Sequence, residues 1–173
     1  LFAQDFRGFR FDIERGCIMA VGSQINLRIN KIRDDLANTS SIFSIIPSRD
    51  ETITNIKVDT SGNKIVIMIP QETFSIYSNM SSSLDIQPVM HSMLIIPSLV
   101  YALTEVKESR SHLYDYEDYR WYRSLRKAAE KMNVAFDEES LANIDPFDLA
   151  QKLMDSPIPK AVNYLRGDND EED

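Results

Sequence analysis

The sequence predicts an α+β fold, in which an N-terminal, mostly antiparallel β-sheet is followed by four or five α-helices packed on it. Three observations support this class. Apolar and polar residues alternate over much of the first 69 residues, which is the period of half-buried strands. From residue 71 onward, apolar residues recur at helical spacing instead. Residues 86–104 carry no formal charge, and we expect this stretch to be buried where the sheet meets the helices.

The length of 173 residues fits one domain. We predict a single α+β domain over residues 1–166, strand-rich at 8–69 and helical at 71–166, with an acidic, flexible tail at 167–173. The contents of 43% hydrophobic and 9% aromatic residues are typical of a soluble globular protein. The chain begins with Leu1 and shows no signal-peptide pattern, so we expect a cytoplasmic protein that is a piece of a longer one.

Charge and rare residues exclude several classes of function. The net charge is −8, and the last six residues supply five of the acidic groups. The remaining 22 acidic and 19 basic residues still weigh against broad, sequence-independent binding of nucleic acid. Five glycines argue against a glycine-rich nucleotide-binding loop, and Cys17 alone cannot form an internal disulfide or a multi-cysteine metal site. We therefore expect no cofactor and no metal.

The N-terminal half contains two kinds of strand signal. Phe9, Phe11 and Ile13 alternate with charged residues, and similar alternation continues to residue 30. A β-hairpin is predicted at 56–69, with a turn at 60–63 where glycine is available for a positive φ. Its return strand is apolar on both faces, which indicates a central strand.

The uncharged stretch allows three interpretations. A helix from 87 to 107, kinked at Pro97, is favoured because Leu99, Leu103 and Val106 recur at helical spacing. Alternatively, residues 93–96 form a short strand and Pro97 opens the next helix. A membrane span is disfavoured because two prolines and several polar residues interrupt the stretch. His91 within it is interpreted as a core histidine with one hydrogen bond.

The remaining helices are predicted from local signals. Residues 71–80 and 115–133 show helical periodicity, and a shorter helix is predicted at 136–143. Asp145 is a suitable N-cap with Pro146 at the first helical position. A last short helix is expected at 160–165.

The helix at 115–133 carries the candidate binding surfaces. Four cations fall within an arc of about 80° opposite its apolar stripe, and they are candidate phosphate contacts: Arg120, Arg123, Lys127 and Lys131. Aromatic residues crowd its start and form a candidate protein-interaction surface: Tyr116, Tyr119, Trp121 and Tyr122. The simpler interpretations are a solvated helix face for the cations and ordinary covering of the sheet for the aromatic residues.

Motifs for catalysis are sparse. The sequence contains no phosphate-binding glycine loop, no paired histidines at helical spacing and no nucleophile elbow. Asp12 and Glu14 share one predicted strand face and could hold Mg²⁺ for phosphodiester hydrolysis, although a solvated edge is the simpler interpretation. His112, beside the tyrosines, is either a proton carrier or part of an exposed loop.

These observations favour a non-enzymatic interaction or assembly module whose partner is a second copy of itself or another protein. This hypothesis predicts a solvent-exposed aromatic patch that contains Trp121 or Tyr122. The alternatives are a nucleic-acid-binding domain that uses the basic face at 120–131, and a metal-dependent hydrolase that uses the N-terminal carboxylates. No membrane association is expected.

Overall fold

A three-stranded mixed sheet precedes a series of helices in the computed structural model, which describes residues 42–50 and 52–167. These residues fall in the unit that spans residues 32–173. The predicted strands at 8–30, the acidic tail and Cys17 lie outside the described residues, as do Asp12 and Glu14. The predicted α+β class is confirmed, with a small sheet on the N-terminal side of the helices.

The sheet consists of β1 (Phe43–Pro47), β2 (Lys57–Asp59) and β3 (Ile65–Ile69), in the order β1-β3-β2. The predicted hairpin is confirmed: β2 runs antiparallel to β3, with Val58 opposite Ile67. The other pairing differs from the expected antiparallel sheet, because β1 runs parallel to β3. Alternation of side chains carries no information on strand direction, so the sequence pattern fits either pairing. The central position of β3 is as predicted.

The turn of the hairpin is built differently from the expectation. Gly62 does not adopt a positive φ. The Asp59 carboxylate instead accepts hydrogen bonds from the Ser61 backbone N–H at 2.9 Å and from its hydroxyl at 2.6 Å. An aspartate side chain that accepts from the backbone N–H two residues later takes the place of a backbone hydrogen bond in the turn. The chain therefore reverses between β2 and β3 without a residue of positive φ.

Seven α-helical segments, one π turn and one 3₁₀ segment follow within the described residues, more than the four or five helices expected. They are α1 (Gln71–Met80), α2 (Gln87–Met90), the π turn (His91–Ile95), α3 (Ile96–Glu108), the 3₁₀ segment (Arg110–Tyr116), α4 (Arg120–Lys131), α5 (Glu138–Asn143), α6 (Pro146–Leu153) and α7 (Pro157–Arg166). Part of the difference arises because the π turn divides one predicted helix into α2 and α3.

Helices α2 and α3 form one continuous element through the uncharged stretch, so the favoured helical interpretation is confirmed. The π turn ends two residues before Pro97, and the Ile96 N–H donates to the His91 carbonyl five residues earlier. Proline lacks an N–H and its ring crowds the preceding turn, which accounts for a widened turn at this position. The hydroxyl of buried Ser98 donates to the Leu94 carbonyl at 2.7 Å.

This central helix is buried on one side only. Leu99, Leu103 and Val106 lie in the core, whereas Met93 is 62% exposed and Tyr101 is 47% exposed. The expectation that the whole stretch would be buried is therefore wrong for one face. By length and composition the segment Gln87–Glu108 could cross a membrane, with a mean hydropathy of 1.5, but half of its most apolar window is buried within the protein.

The predicted helix at 115–133 begins five residues later than expected. Arg110–Tyr116 forms a 3₁₀ segment that is kinked at His112, and Tyr119 is extended before α4 starts at Arg120. The three acidic residues 115, 117 and 118 consequently precede α4 rather than occupy its first turn. Helical periodicity could not show this boundary, because a 3₁₀ segment has a similar side-chain period.

The C-terminal helices follow their capping signals. Asp145 accepts from the Phe147 and Asp148 backbone N–H groups at 2.9 and 3.4 Å, which confirms it as the N-cap of α6. Helix α7 begins at Pro157, earlier than predicted, because prolines are tolerated in a first turn. One hydrophobic core joins the sheet to the helices, and it includes Ile67, Leu103 and Trp121.

Candidate functional site

The aromatic cluster at the start of α4 lies mostly inside the protein. Trp121 and Tyr122 are fully buried, and Tyr116 and Tyr119 are half-buried. The Tyr116 ring packs edge-on against Trp121, with centroids 5.9 Å apart, and Tyr119 stacks on Trp121 at 6.3 Å. The prediction of an exposed patch that contains Trp121 or Tyr122 is therefore wrong. Trp121 belongs to the apolar stripe of this helix with Leu125 and Ala129, all of which are buried. The helical spacing of this stripe predicts the burial of Trp121 better than the aromatic composition does.

Trp121 connects α4 to the β-hairpin. Its indole Nε1–H donates to the Thr60 carbonyl at 3.0 Å, and the Arg120 backbone N–H donates to the Asn63 side-chain oxygen at 3.3 Å. A buried indole needs a hydrogen-bond acceptor, and the hairpin turn supplies it. The cluster therefore attaches the sheet to α4.

The basic residues of α4 do share one exposed face, as predicted. Arg120, Arg123, Lys127 and Lys131 are all exposed along a helix length of about 16 Å. Arg123 also donates to the Glu117 carbonyl at 3.2 Å. Tyr116 and Tyr119 pack against each other and against the rings of Trp121 and Tyr122.

A polar cleft lies between the hairpin turn, the end of α3 and the 3₁₀ segment. Its volume is about 360 Å³, and its walls are formed by Thr60, Ser61, Glu105, Ser109, His112, Asp115, Tyr116 and Tyr119. Thr60 and Glu105 were not predicted as site residues, and they are 45 residues apart in the chain. Only tertiary contacts bring these groups together, and no local pattern marks them.

Glu105 is the half-buried carboxylate of this cleft. It accepts a hydrogen bond of 2.5 Å from the Thr60 hydroxyl. The Tyr101 hydroxyl also bonds to it, and this hydrogen bond is the main reason that the pKa of Tyr101 is raised. The Tyr116 hydroxyl donates to Ser109 at 3.2 Å on the opposite wall. The described lining of the cleft therefore combines hydroxyl groups, two carboxylates, two tyrosines and the imidazole of His112.

His112 is exposed on the cleft, so the exposed interpretation of this residue is confirmed, although it lies in a 3₁₀ segment and not in a loop. His91 lines a separate cavity of about 270 Å³ between β1, α1 and the central helix. Burial lowers the pKa of His91, which favours the neutral imidazole. The hydrogen bond expected for His91 is not observed within residues 42–50 and 52–167.

The exposed side of the central helix presents an apolar row. Met93, Pro97 and Tyr101 are exposed and follow one another at four-residue spacing, which places them on one face of a helix. We call this row the outer face. Glu105 continues the same spacing, so the outer face ends at the polar cleft.

Across the described part of the chain, no group of three or more histidine, cysteine or acidic side chains is placed to hold a metal ion. The Asp12 and Glu14 pair lies outside it. Comparison of the chain with protein-family models, curated proteins and solved structures found no match.

Proposed function

We propose that this chain is a non-enzymatic, cytoplasmic interaction module that associates with a second copy of itself through the outer face of its central helix. The observation that carries the proposal is the exposure of Met93, Pro97 and Tyr101 in one row. Scattered apolar residues on a surface are ordinary, but a contiguous apolar row indicates an interaction surface.

The residue types also support an interface. Methionine and tyrosine are enriched in the buried centres of protein interfaces, and methionine adapts its shape to a partner. Most soluble oligomers are homo-oligomers with closed symmetry, and a second copy is therefore the first partner to test. We therefore place the proposed interaction surface on the central helix and not on the aromatic cluster of α4.

The test is sedimentation of matched charge variants. Met93→Lys places a charge on the outer face and is expected to shift a dimer to monomer. Ile76→Lys is the control, because Ile76 is 60% exposed on α1 and Met93 is 62% exposed. A monomeric wild-type chain at high concentration, or equal effects of the two variants, would contradict self-association through this face.

A second candidate function is nucleic-acid binding by the basic face of α4, favoured by the common exposure of its four cations. It predicts salt-dependent binding that weakens when Arg123 and Lys127 are both replaced by alanine. The control removes two exposed cations elsewhere, Lys152 and Lys160, each paired with an aspartate. Equal binding by the two double variants would reject the basic face as the site.

A further inference from the structure

We propose that the polar cleft binds a small organic cation with an alkylammonium head group. The cleft adjoins the outer face, whose Tyr101 bonds to Glu105, and it contains none of the four cations of the basic face. Ligand binding there does not require self-association. Its volume of about 360 Å³ lies within the range of small-ligand sites. The argument rests on charge, on aromatic walls and on the position of the cleft at a helix end.

The charge of the cleft is negative. Among the described residues that line it, Glu105 and Asp115 are acidic, His112 is a histidine, and none is a lysine or arginine. Among the ion pairs between described residues, none includes Glu105 or Asp115. The Glu105 carboxylate accepts from two hydroxyl groups and can accept further hydrogen bonds, because a carboxylate has about four acceptor positions.

The cleft also lies at the C-terminal end of the central helix. Ser109, which follows α3, is one of its lining residues. Helix C-termini carry a partial negative charge and favour cations. Arg110 already interacts with this helix end, since its guanidinium donates to the Lys107 carbonyl at 3.2 Å. Arg110 does not line the cleft.

Tyr116 and Tyr119 both line the cleft. Tyr116 and Tyr119 meet at an interplanar angle of 80°, with centroids 6.1 Å apart. Aromatic walls at such angles attract alkylammonium groups through cation–π interactions, and carboxylates complete the recognition. A compact metal ion gains less from aromatic walls, and no metal-holding group of side chains occurs within residues 42–50 and 52–167.

The test is titration calorimetry of the full chain with choline. Its neutral carbon isostere, 3,3-dimethylbutan-1-ol, has the same shape without the charge and should bind at least about tenfold more weakly. Nα-Acetyl-trimethyllysine amide presents the same head group on a peptide-like stem. Tighter binding of this probe would identify a protein side chain as the ligand source, whereas tighter binding of choline would indicate a free small molecule.

Matched variants locate the site. Glu105→Gln keeps an oxygen for the Thr60 hydroxyl but removes the charge, and it should weaken choline binding at least about tenfold. Glu108→Gln removes the same charge from an exposed residue of the same helix that does not line the cleft, and it should bind like wild type. Thermal unfolding of each variant checks that it is folded. Absence of choline binding by wild type, equal binding of the isostere, or equal effects of the two variants would overturn the proposal.

Discussion

At the scale of single residues, hydrogen bonds between distant parts of the chain determine which side chains are structural. Trp121 and Thr60 are 61 residues apart, and the bond between them joins α4 to the hairpin turn. A tryptophan next to arginine and tyrosine has the composition of a binding surface, but the fold uses it in the core. Trp121 therefore stabilises the fold.

Replacing Trp121 by phenylalanine should lower the free energy of unfolding by about 1–3 kcal/mol, because the hydrogen bond to Thr60 and part of the ring volume are lost. Tyr114→Phe is the control, since Tyr114 is 70% exposed and should change stability by less than about 0.5 kcal/mol. Denaturant unfolding measures both. Equal stability of the two variants would contradict the structural role of Trp121.

Carboxylates that cap turns and helices make stability depend on pH. The pKa of Asp137 is lowered, mainly by the hydrogen bond from the Ser140 backbone N–H and then by the Ser140 hydroxyl. The ionised form is thus favoured in the folded state, and its contribution is present above the unfolded-state pKa of about 4. The contribution is lost as the pH falls below about 4 through the lowered folded-state pKa. Asp50 and Asp59 have lowered pKa values for similar reasons.

The Asp137→Asn variant should lose less stability than wild type as the pH falls below about 4, because asparagine keeps the capping acceptor without titrating. Unfolding followed across this range of pH gives the comparison. Asp118→Asn serves as a control for the loss of one exposed carboxylate. A pH profile of Asp137→Asn that matches wild type would show that the cap does not contribute.

At the scale of elements, the central helix has two faces in different environments. Its inner face, with Leu99 and Leu103, packs in the core, and its outer face is exposed. The sequence is apolar on both faces, so periodicity alone could not separate them. The π turn before Pro97 keeps the helix continuous across a residue that commonly ends one.

Leu99→Ala should lower the free energy of unfolding by about 2–5 kcal/mol, because Leu99 is fully buried and the substitution leaves a cavity. Met93→Ala should change it by less than about 0.5 kcal/mol at a concentration where the chain is monomeric. Both values come from denaturant unfolding. Similar losses for the two variants would mean that both faces of the helix are packed.

At the scale of the whole molecule, the sheet and the helices share one hydrophobic core that includes Ile67 of β3 and Leu103 of α3. Helix α1 differs, because it contains no buried residue. Segments with few buried contacts open at lower free energy than the core. We therefore expect two levels of protection within the described part of the chain.

Native-state amide exchange should give the same opening free energy for the Ile67 and Leu103 amides and a clearly lower one for α1. Exchange at increasing, sub-denaturing concentrations of denaturant measures these values. Different opening free energies for β3 and α3 would show that the sheet and the helices unfold separately. Protection of α1 equal to that of the core would contradict its weaker packing.

Much of the fold within the described residues was predictable. The hairpin at 56–69, the helix at 71–80 and the cap at Asp145 depend on alternation, turn residues and capping, which act over a few neighbours. The start of α4 was missed because the chain is extended at Tyr119, which the helical periodicity does not show. The shared exposure of the four cations on α4 was predicted, whereas the cleft was not recognised.

The sequence alone determined the fold class, the positions of most described helices and strands, and the common face of the four cations on α4. The tertiary structure decided the parallel pairing of β1, the burial of Trp121 and Tyr122, the exposure of the outer face and the assembly of the cleft. The physical reason is the distance along the chain over which the deciding interactions act. Secondary structure is set by interactions between residues a few positions apart, whereas exposure and the composition of a cleft depend on what packs opposite. Those contacts, such as the one between Thr60 and Glu105, join residues tens of positions apart.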